Sequence, residues 1–79
     1  MIKYGIISET FMLDKTIRKS YGIAAYAYAD STDTYTVVAT VNDISRDYDS
    51  VANLVKLCND GGLSPDHLKD IVEDFLAVH

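Results

Sequence analysis

The sequence predicts an α+β fold, in which a three-stranded antiparallel meander is followed by two amphipathic helices packed on one sheet face (β-β-β-α-α). Two observations predict it. Apolar residues recur with a period of two in the first half of the chain, and with a period near 3.6 after about residue 45. The length adds a constraint, because 79 residues supply one hydrophobic core. We therefore expect residues 1–79 to form a single domain.

The first half contains three strand-like segments that are joined by short polar turns. Residues 2–11 are rich in β-favouring side chains, and the turn predicted at 12–15 contains an aspartate that can bond its own backbone. Residues 16–29 alternate strongly, as a half-buried strand does. The polar cluster 30–33 favours a hairpin turn before a third strand at 34–41. Such short connections favour an antiparallel meander.

Two amphipathic helices are predicted in the second half. Ser45 is a good N-cap for the first helix, which the Asn-Asp-Gly-Gly segment at 59–62 ends. Ser64 caps the second helix, and Pro65 fits its first position, where a missing N–H costs nothing. Each helix carries one apolar stripe. The stripes are Val51, Leu54, Val55 and Cys58 in the first helix, and Leu68, Ile71, Val72, Phe75 and Leu76 in the second.

The acidic composition argues against several classes of function. Seven lysines and arginines stand against twelve aspartates and glutamates, which gives a net charge of −5. Binding to nucleic acid or to an anionic membrane surface depends on clustered basic residues, so neither partner is expected. The nearly uncharged stretch 20–29 is too short to span a bilayer, and the first residues lack the pattern of a secretory signal. We therefore expect a cytoplasmic protein.

One face of the predicted sheet is a candidate interaction surface. Two helices cover only one face, and tyrosine is enriched at protein interfaces. The opposite face is predicted to carry Tyr26, Tyr28, Val38, Thr36 and Thr40. A second copy packed sheet to sheet is the most economical partner, and pairing through an edge strand is another route to a homodimer. The competing interpretation is that tyrosine and threonine simply favour strands and tolerate partial exposure.

No constellation in the sequence supports catalysis or metal binding. Cys58 is the sole cysteine, so the chain has neither an internal disulfide nor a thiolate metal site. A pair formed by Cys58 and His67 is conceivable across the Gly61-Gly62 turn. However, Cys58 continues an apolar stripe, and the nearby Asp60 disfavours a thiolate. The carboxylates lack the spacing of a calcium loop, and we expect no cofactor, no metal and no enzymatic activity.

Four segments resemble a known family. They are Tyr21-Gly22-Ile23, Asp43-Ile44-Ser45, VANLVKLCN at 51–59 and LSPDHLKDIVEDFL at 63–76. This set is similar to a family of short uncharacterised proteins from clostridia and related gut bacteria, classed as a domain of unknown function. The resemblance covers most of the chain from about Tyr21, and its two-helix ending is the most specific part. It implies a β-then-α architecture and brings no known activity, cofactor or catalytic residue.

Two functional hypotheses follow from the sequence. The first is a non-enzymatic protein–protein interaction module that self-associates or docks a partner through the tyrosine-bearing sheet face. The alternative is a regulatory domain that binds a small molecule or peptide in a pocket between helices and sheet, near Tyr48, Cys58 and His67. An oligomer sensitive to Tyr26 and Tyr28 favours the first hypothesis, and a ligand-dependent rise in melting temperature favours the second.

Overall fold

The computed structural model describes residues 1–78 and shows an antiparallel sheet followed by a helical layer. The strand order is β1-β2-β3, and both neighbouring pairs are antiparallel. The elements are β1 (Ile2–Leu13), β2 (Thr16–Ala29), β3 (Thr34–Ser45), α1 (Tyr48–Asp60), a 3-10 turn (Pro65–His67) and α2 (Leu68–Val78). The predicted α+β fold is confirmed.

The first hairpin closes through a two-residue turn, which makes β1 longer than predicted. Asp14 and Lys15 have φ angles of 51° and 64°. Positive φ at both central residues is typical of type I′ turns, whose twist matches that of the flanking strands. Because these two residues suffice, pairing continues to Leu13 and Thr16. The prediction that residues 12–15 all belong to the turn is therefore wrong for Met12 and Leu13.

The hydrophobic core lies between the sheet and the helices. Ile23, Ala25 and Val51 are fully buried there, and Leu68 and Val72 of α2 belong to the same cluster. Helix α1 contacts all three strands and α2 contacts β3. The alanine in the middle of β2 leaves room for a close helix–sheet approach, while both predicted apolar stripes supply the larger side chains.

A β-bulge at Val38 changes which residues of β3 share a face. Val37 pairs with Tyr26, whereas Ala39 pairs with Ala25, so Val38 is an extra residue between them. Cross-strand partners point to the same side of a sheet. Ala39 therefore faces the core, and Val37 lies on the opposite face beside Tyr26.

The bulge corrects the predicted membership of the outer face. Thr36 pairs with Ala27, which places Thr36 on the helix side, and Val38 occupies the bulge itself. Uninterrupted alternation put both residues on the outer face, and the prediction for Thr36 is wrong because the bulge shifts the alternation by one residue. Tyr35 takes a place on this face instead, opposite Tyr28. The prediction for Thr40 agrees with its pairing to Ala24.

Gly22 marks a second irregularity, where β3 passes very close to β2. A Cβ atom on Gly22 would lie 2.3 Å from the carbonyl oxygen of Val41, so only glycine fits here. The register shifts between Tyr21 and Ile23, and Asp43 adopts a positive φ of 54° within this stretch. The buried Ser20 hydroxyl donates a hydrogen bond to the Asp43 carboxylate. This contact fastens the irregular part of β3 to β2.

Helix α1 begins later than predicted. Ser45 still pairs with Tyr21 as the last residue of β3, and the N-cap position belongs to Asp47. The Ser45 hydroxyl instead accepts a hydrogen bond from the Asp47 N–H at 3.0 Å. Ser45 therefore shapes the bend between strand and helix, and the prediction that it caps α1 is wrong.

Candidate interaction surface

The face of the sheet opposite the helices carries most of the exposed aromatic surface of the sheet. We call this surface the tyrosine face and define it, from the strand pairing, by Lys3, Gly5, Ala24, Tyr26, Tyr28, Tyr35, Val37 and Thr40. Within residues 1–78, both helices pack on the other side, where the core cluster lies. Tyr35 and Val37 are 50% and 53% exposed, so the face presents large apolar side chains to its surroundings.

Tyr26 and Gly5 create a shallow cleft on the tyrosine face. The ring atom Cε2 of Tyr26 lies 3.3 Å from the position that a Cβ of Gly5 would occupy. The glycine therefore lets the ring lie close to the sheet. The resulting cleft has a volume of about 300 Å³ and is lined by Lys3, Tyr4, Gly5, Tyr26 and Tyr35. Aromatic walls with hydroxyl tips suit a surface that receives an apolar side chain from another molecule.

Tyr28 and Tyr35 form an aromatic pair at the far end of the face. Their ring centroids lie 5.1 Å apart, and the ring planes are inclined by 50°. The Tyr28 hydroxyl donates a hydrogen bond to the Asp33 carboxylate in the adjoining turn. This bond is the main cause that raises the pKa of Tyr28 above its ordinary value of 10.0. Tyr28 is therefore neutral at physiological pH.

The three residues of the predicted pocket do not converge. Tyr48 and Cys58 are ten residues apart in α1, a separation of about 15 Å along the helix axis. Tyr48 makes an edge-on contact with Tyr21, with centroids 5.3 Å apart. His67 is exposed in the turn before α2. The predicted common pocket of Tyr48, Cys58 and His67 is therefore not formed.

Cys58 lines an apolar cavity between α1 and α2. The cavity has a volume of about 260 Å³ and is lined by Leu54, Leu57, Cys58, Gly61, Leu63 and Ile71. Cys58 is 3% exposed, and burial raises the pKa of its thiol above the ordinary value of 9.0. The neutral thiol therefore dominates at neutral pH, which is the state of a core cysteine rather than that of a nucleophile.

Two further features concern metals and membranes. Within residues 1–78, no three histidine, cysteine or carboxylate side chains are grouped so that they could hold a metal ion. None of the helices in this part of the chain has the length and hydropathy needed to cross a membrane.

The comparisons with known proteins identify a family. No curated protein and no solved structure matches the chain. A family model, described as a family of unknown function (DUF6514), matches residues 1–78. This match covers β1 and the first hairpin as well as the segments from Tyr21 onward that carried the sequence resemblance. The chain belongs to this family of unknown function.

Proposed function

We propose that the protein is a non-enzymatic protein–protein interaction module whose docking surface is the tyrosine face. The observation that carries the proposal is the exposed row formed by Tyr35 and Val37 beside Tyr26 and Tyr28. Tyrosine combines a large apolar ring with a polar tip, and it is enriched where proteins bind each other. No described helix covers this row, so it is accessible to a partner.

We propose a second copy of the chain as the occupant of the tyrosine face. Hydroxyl groups both donate and accept hydrogen bonds, so a surface whose polar tips are mainly tyrosines and threonines can pair with itself. Charge favours the same arrangement. Seven of the twelve carboxylates lie at residues 46–78, which form the helical layer on the other side of the sheet. Sheet-to-sheet packing keeps these two acidic layers apart.

The test compares two neighbouring positions on β3 that face opposite sides. Size-exclusion chromatography with light scattering should show that the wild type self-associates, and Tyr35→Asp should lower its molar mass at the same concentration because a buried unpaired charge is costly. Thr36→Asp is the matched control, because it adds the same charge one residue away on the helix side. A monomeric wild type, or equal effects of both changes, would contradict the proposal.

The alternative is a regulatory role through a bound small molecule or peptide, and the cavity beside Cys58 supports it. Its lining is almost entirely aliphatic, so the ligand would be a small apolar molecule or an apolar side chain of a peptide. A ligand that binds only the folded state raises the melting temperature. An apolar fragment that raises the melting temperature of the wild type should lose this effect in Leu57→Asp and keep it in the tyrosine-face variant Tyr35→Asp. A screen of apolar fragments without any thermal shift would count against this alternative.

A further inference from the structure

The first hairpin extends beyond the three-stranded part of the sheet. Pairing of β1 with β2 continues to Leu13 and Thr16, whereas the last residue of β3 pairs with Tyr21. Residues 9–20 therefore form a two-stranded segment, which we call the ribbon. Its tip projects roughly 16 Å beyond the three-stranded part of the sheet, at about 3.3 Å per strand residue. Because it continues β1 and β2 lengthwise, the ribbon leads away from its own helices.

The ribbon has an exposed apolar and basic surface, in which the Lys19 ammonium lies over the Tyr21 ring of the same chain, 6.0 Å from its centroid. Met12 and Ile17 form a cross-strand pair on one face and are 70% and 69% exposed. The large apolar residues exposed on the ribbon are Phe11, Met12, Leu13 and Ile17. The ribbon also holds three basic residues against two acidic ones, in a chain with a net charge of −5. A two-stranded segment is marginally stable alone in water, so covering these side chains would stabilise it.

The helical layer contains a groove of matching chemistry. Two cavities of about 260 and 180 Å³ share Leu54 and Leu57, and together they form a trough that we call the helix groove. Leu57 is 67% exposed within it. The apolar side chains of the helix groove are Leu54, Leu57, Leu63, Ile71 and Phe75.

Acidic residues lie on the α2 side of the helix groove. Asp70 and Asp74 directly precede Ile71 and Phe75 in α2, and both are exposed. Residues 65–78 carry four carboxylates and one lysine. The helix groove therefore combines an apolar floor with excess negative charge along its α2 side, which is complementary to the apolar and basic ribbon.

We propose that the ribbon of one copy docks in the helix groove of a second copy. Met12 and Ile17 enter the apolar floor, and Lys15 and Lys19 approach Asp70 and Asp74. Lys19 pairs with Thr10 on the same face as Met12 and Ile17, so the charge and the apolar side chains are presented together. The contact is independent of the tyrosine face, because it uses the ribbon and the helix groove instead.

The test uses charge reversal in the Tyr35→Asp background, which removes the association proposed for the tyrosine face. One variant carries Lys15→Glu with Lys19→Glu in the ribbon, and the other carries Asp70→Lys with Asp74→Lys in the groove. Concentration-dependent light scattering should show that each variant alone self-associates at least about tenfold more weakly than the parent, which is the Tyr35→Asp protein. The reason is that the charges of the ribbon and of the groove then have the same sign. An equimolar mixture should regain association to within about threefold of the parent, because both contacts in the mixed pair again join opposite charges.

Controls separate this contact from general effects of charge and stability. Asp30→Lys with Asp33→Lys makes the same change in net charge as the groove variant, in the turn at the opposite end of β2 from the ribbon, and it should leave association unchanged. Circular dichroism should show that every variant is folded, and Ile17→Thr keeps the charges while it removes apolar contact and should weaken association. A parent that stays monomeric, variants that associate like the parent, or a folded mixture that stays monomeric would each overturn the proposal.

Discussion

The side chain of Asn59 pairs with the backbone of Tyr4 as a neighbouring strand would. The Tyr4 N–H donates to Asn59 Oδ1 at 2.8 Å, and Asn59 Nδ2 donates to the Tyr4 carbonyl oxygen at 3.0 Å. β1 is an edge strand, so these backbone groups would otherwise point away from the sheet. One residue at the end of α1 therefore fastens the helix to β1 and closes one position of the open edge.

Replacing Asn59 with alanine should destabilise the fold. The change removes both hydrogen bonds and leaves two partly buried backbone groups without a partner, so the free energy of unfolding should fall by about 1–3 kcal/mol. Urea titration measures this difference. Asn53→Ala, an exposed asparagine in the same helix, is the matched control and should change stability by less than about 0.5 kcal/mol. Equal effects at both positions would refute the role assigned to Asn59.

The hydroxyl of Tyr4 should contribute more to the stability of the fold than that of Tyr48. Tyr4 is 3% exposed, and its hydroxyl donates to the Leu63 carbonyl oxygen at 2.6 Å, which ties the start of the chain to the loop before α2. Tyr4→Phe should therefore lower the free energy of unfolding by about 1 kcal/mol. Tyr48→Phe keeps the ring contact with Tyr21 and should cost little, because half of Tyr48 is exposed. Thermal and urea unfolding of both variants would show whether this order holds.

Gly22 and Gly5 should differ sharply in their tolerance of alanine. A methyl group on Gly22 would meet the Val41 carbonyl oxygen at 2.3 Å, so β3 would have to move, and we expect a loss of more than about 2 kcal/mol. The methyl group on Gly5 would meet the outer edge of the Tyr26 ring at 3.3 Å, and a small ring movement relieves that contact. Gly5→Ala should therefore be mild. A tolerated Gly22→Ala would show that the close approach of β3 is dispensable.

Cys58 should make stability depend on pH above neutrality. Burial raises the pKa of the thiol in the folded protein above that in the unfolded chain. The folded state therefore favours the protonated thiol. Its contribution to stability is fully present below the unfolded pKa and is lost as pH rises through the folded pKa. The free energy of unfolding should begin to fall near pH 9.

A variant without the thiol isolates this component. Cys58→Ala should lack the decline that begins near pH 9 and should keep a later one, because Tyr4 and Tyr28 also have raised pKa values in the folded protein. Urea titrations between pH 7 and 11 would separate the two components. In the native protein at pH 7, iodoacetamide should react with Cys58 far more slowly than in urea. Identical rates in both conditions would mean that Cys58 is accessible.

The sequence predicts the element types well and the surfaces only in part. Strand alternation and helical stripes follow from the burial of one side of each element, and the core position of Cys58 follows from its stripe. The bulge at Val38 has no comparable signal, since it arises from pairing between β2 and β3. That single extra residue explains why Tyr35 and Val37 were missed and why Thr36 was assigned to the wrong face.

The predicted pocket of Tyr48, Cys58 and His67 is not formed for a different reason, which is the distance between residues along a helix. Tyr48 and Cys58 belong to the same helix, and a rigid helix of 13 residues keeps its two ends about 20 Å apart. The roles of Asn59 and Asp43 were also missed. Each bonds a residue that is distant in sequence, so local patterns carry no information about either contact.

The overhang of the sheet past the helices divides the molecule into parts of unequal rigidity. Residues 10–19 can separate and close again without breaking a contact of the core cluster, so their amide protons should exchange with solvent much faster than those of Tyr4 or Ala25. A partner that covers this stretch would slow that exchange. Substitutions at the tip of the hairpin can therefore change the surface that it presents, while the folded centre of the protein keeps its stability.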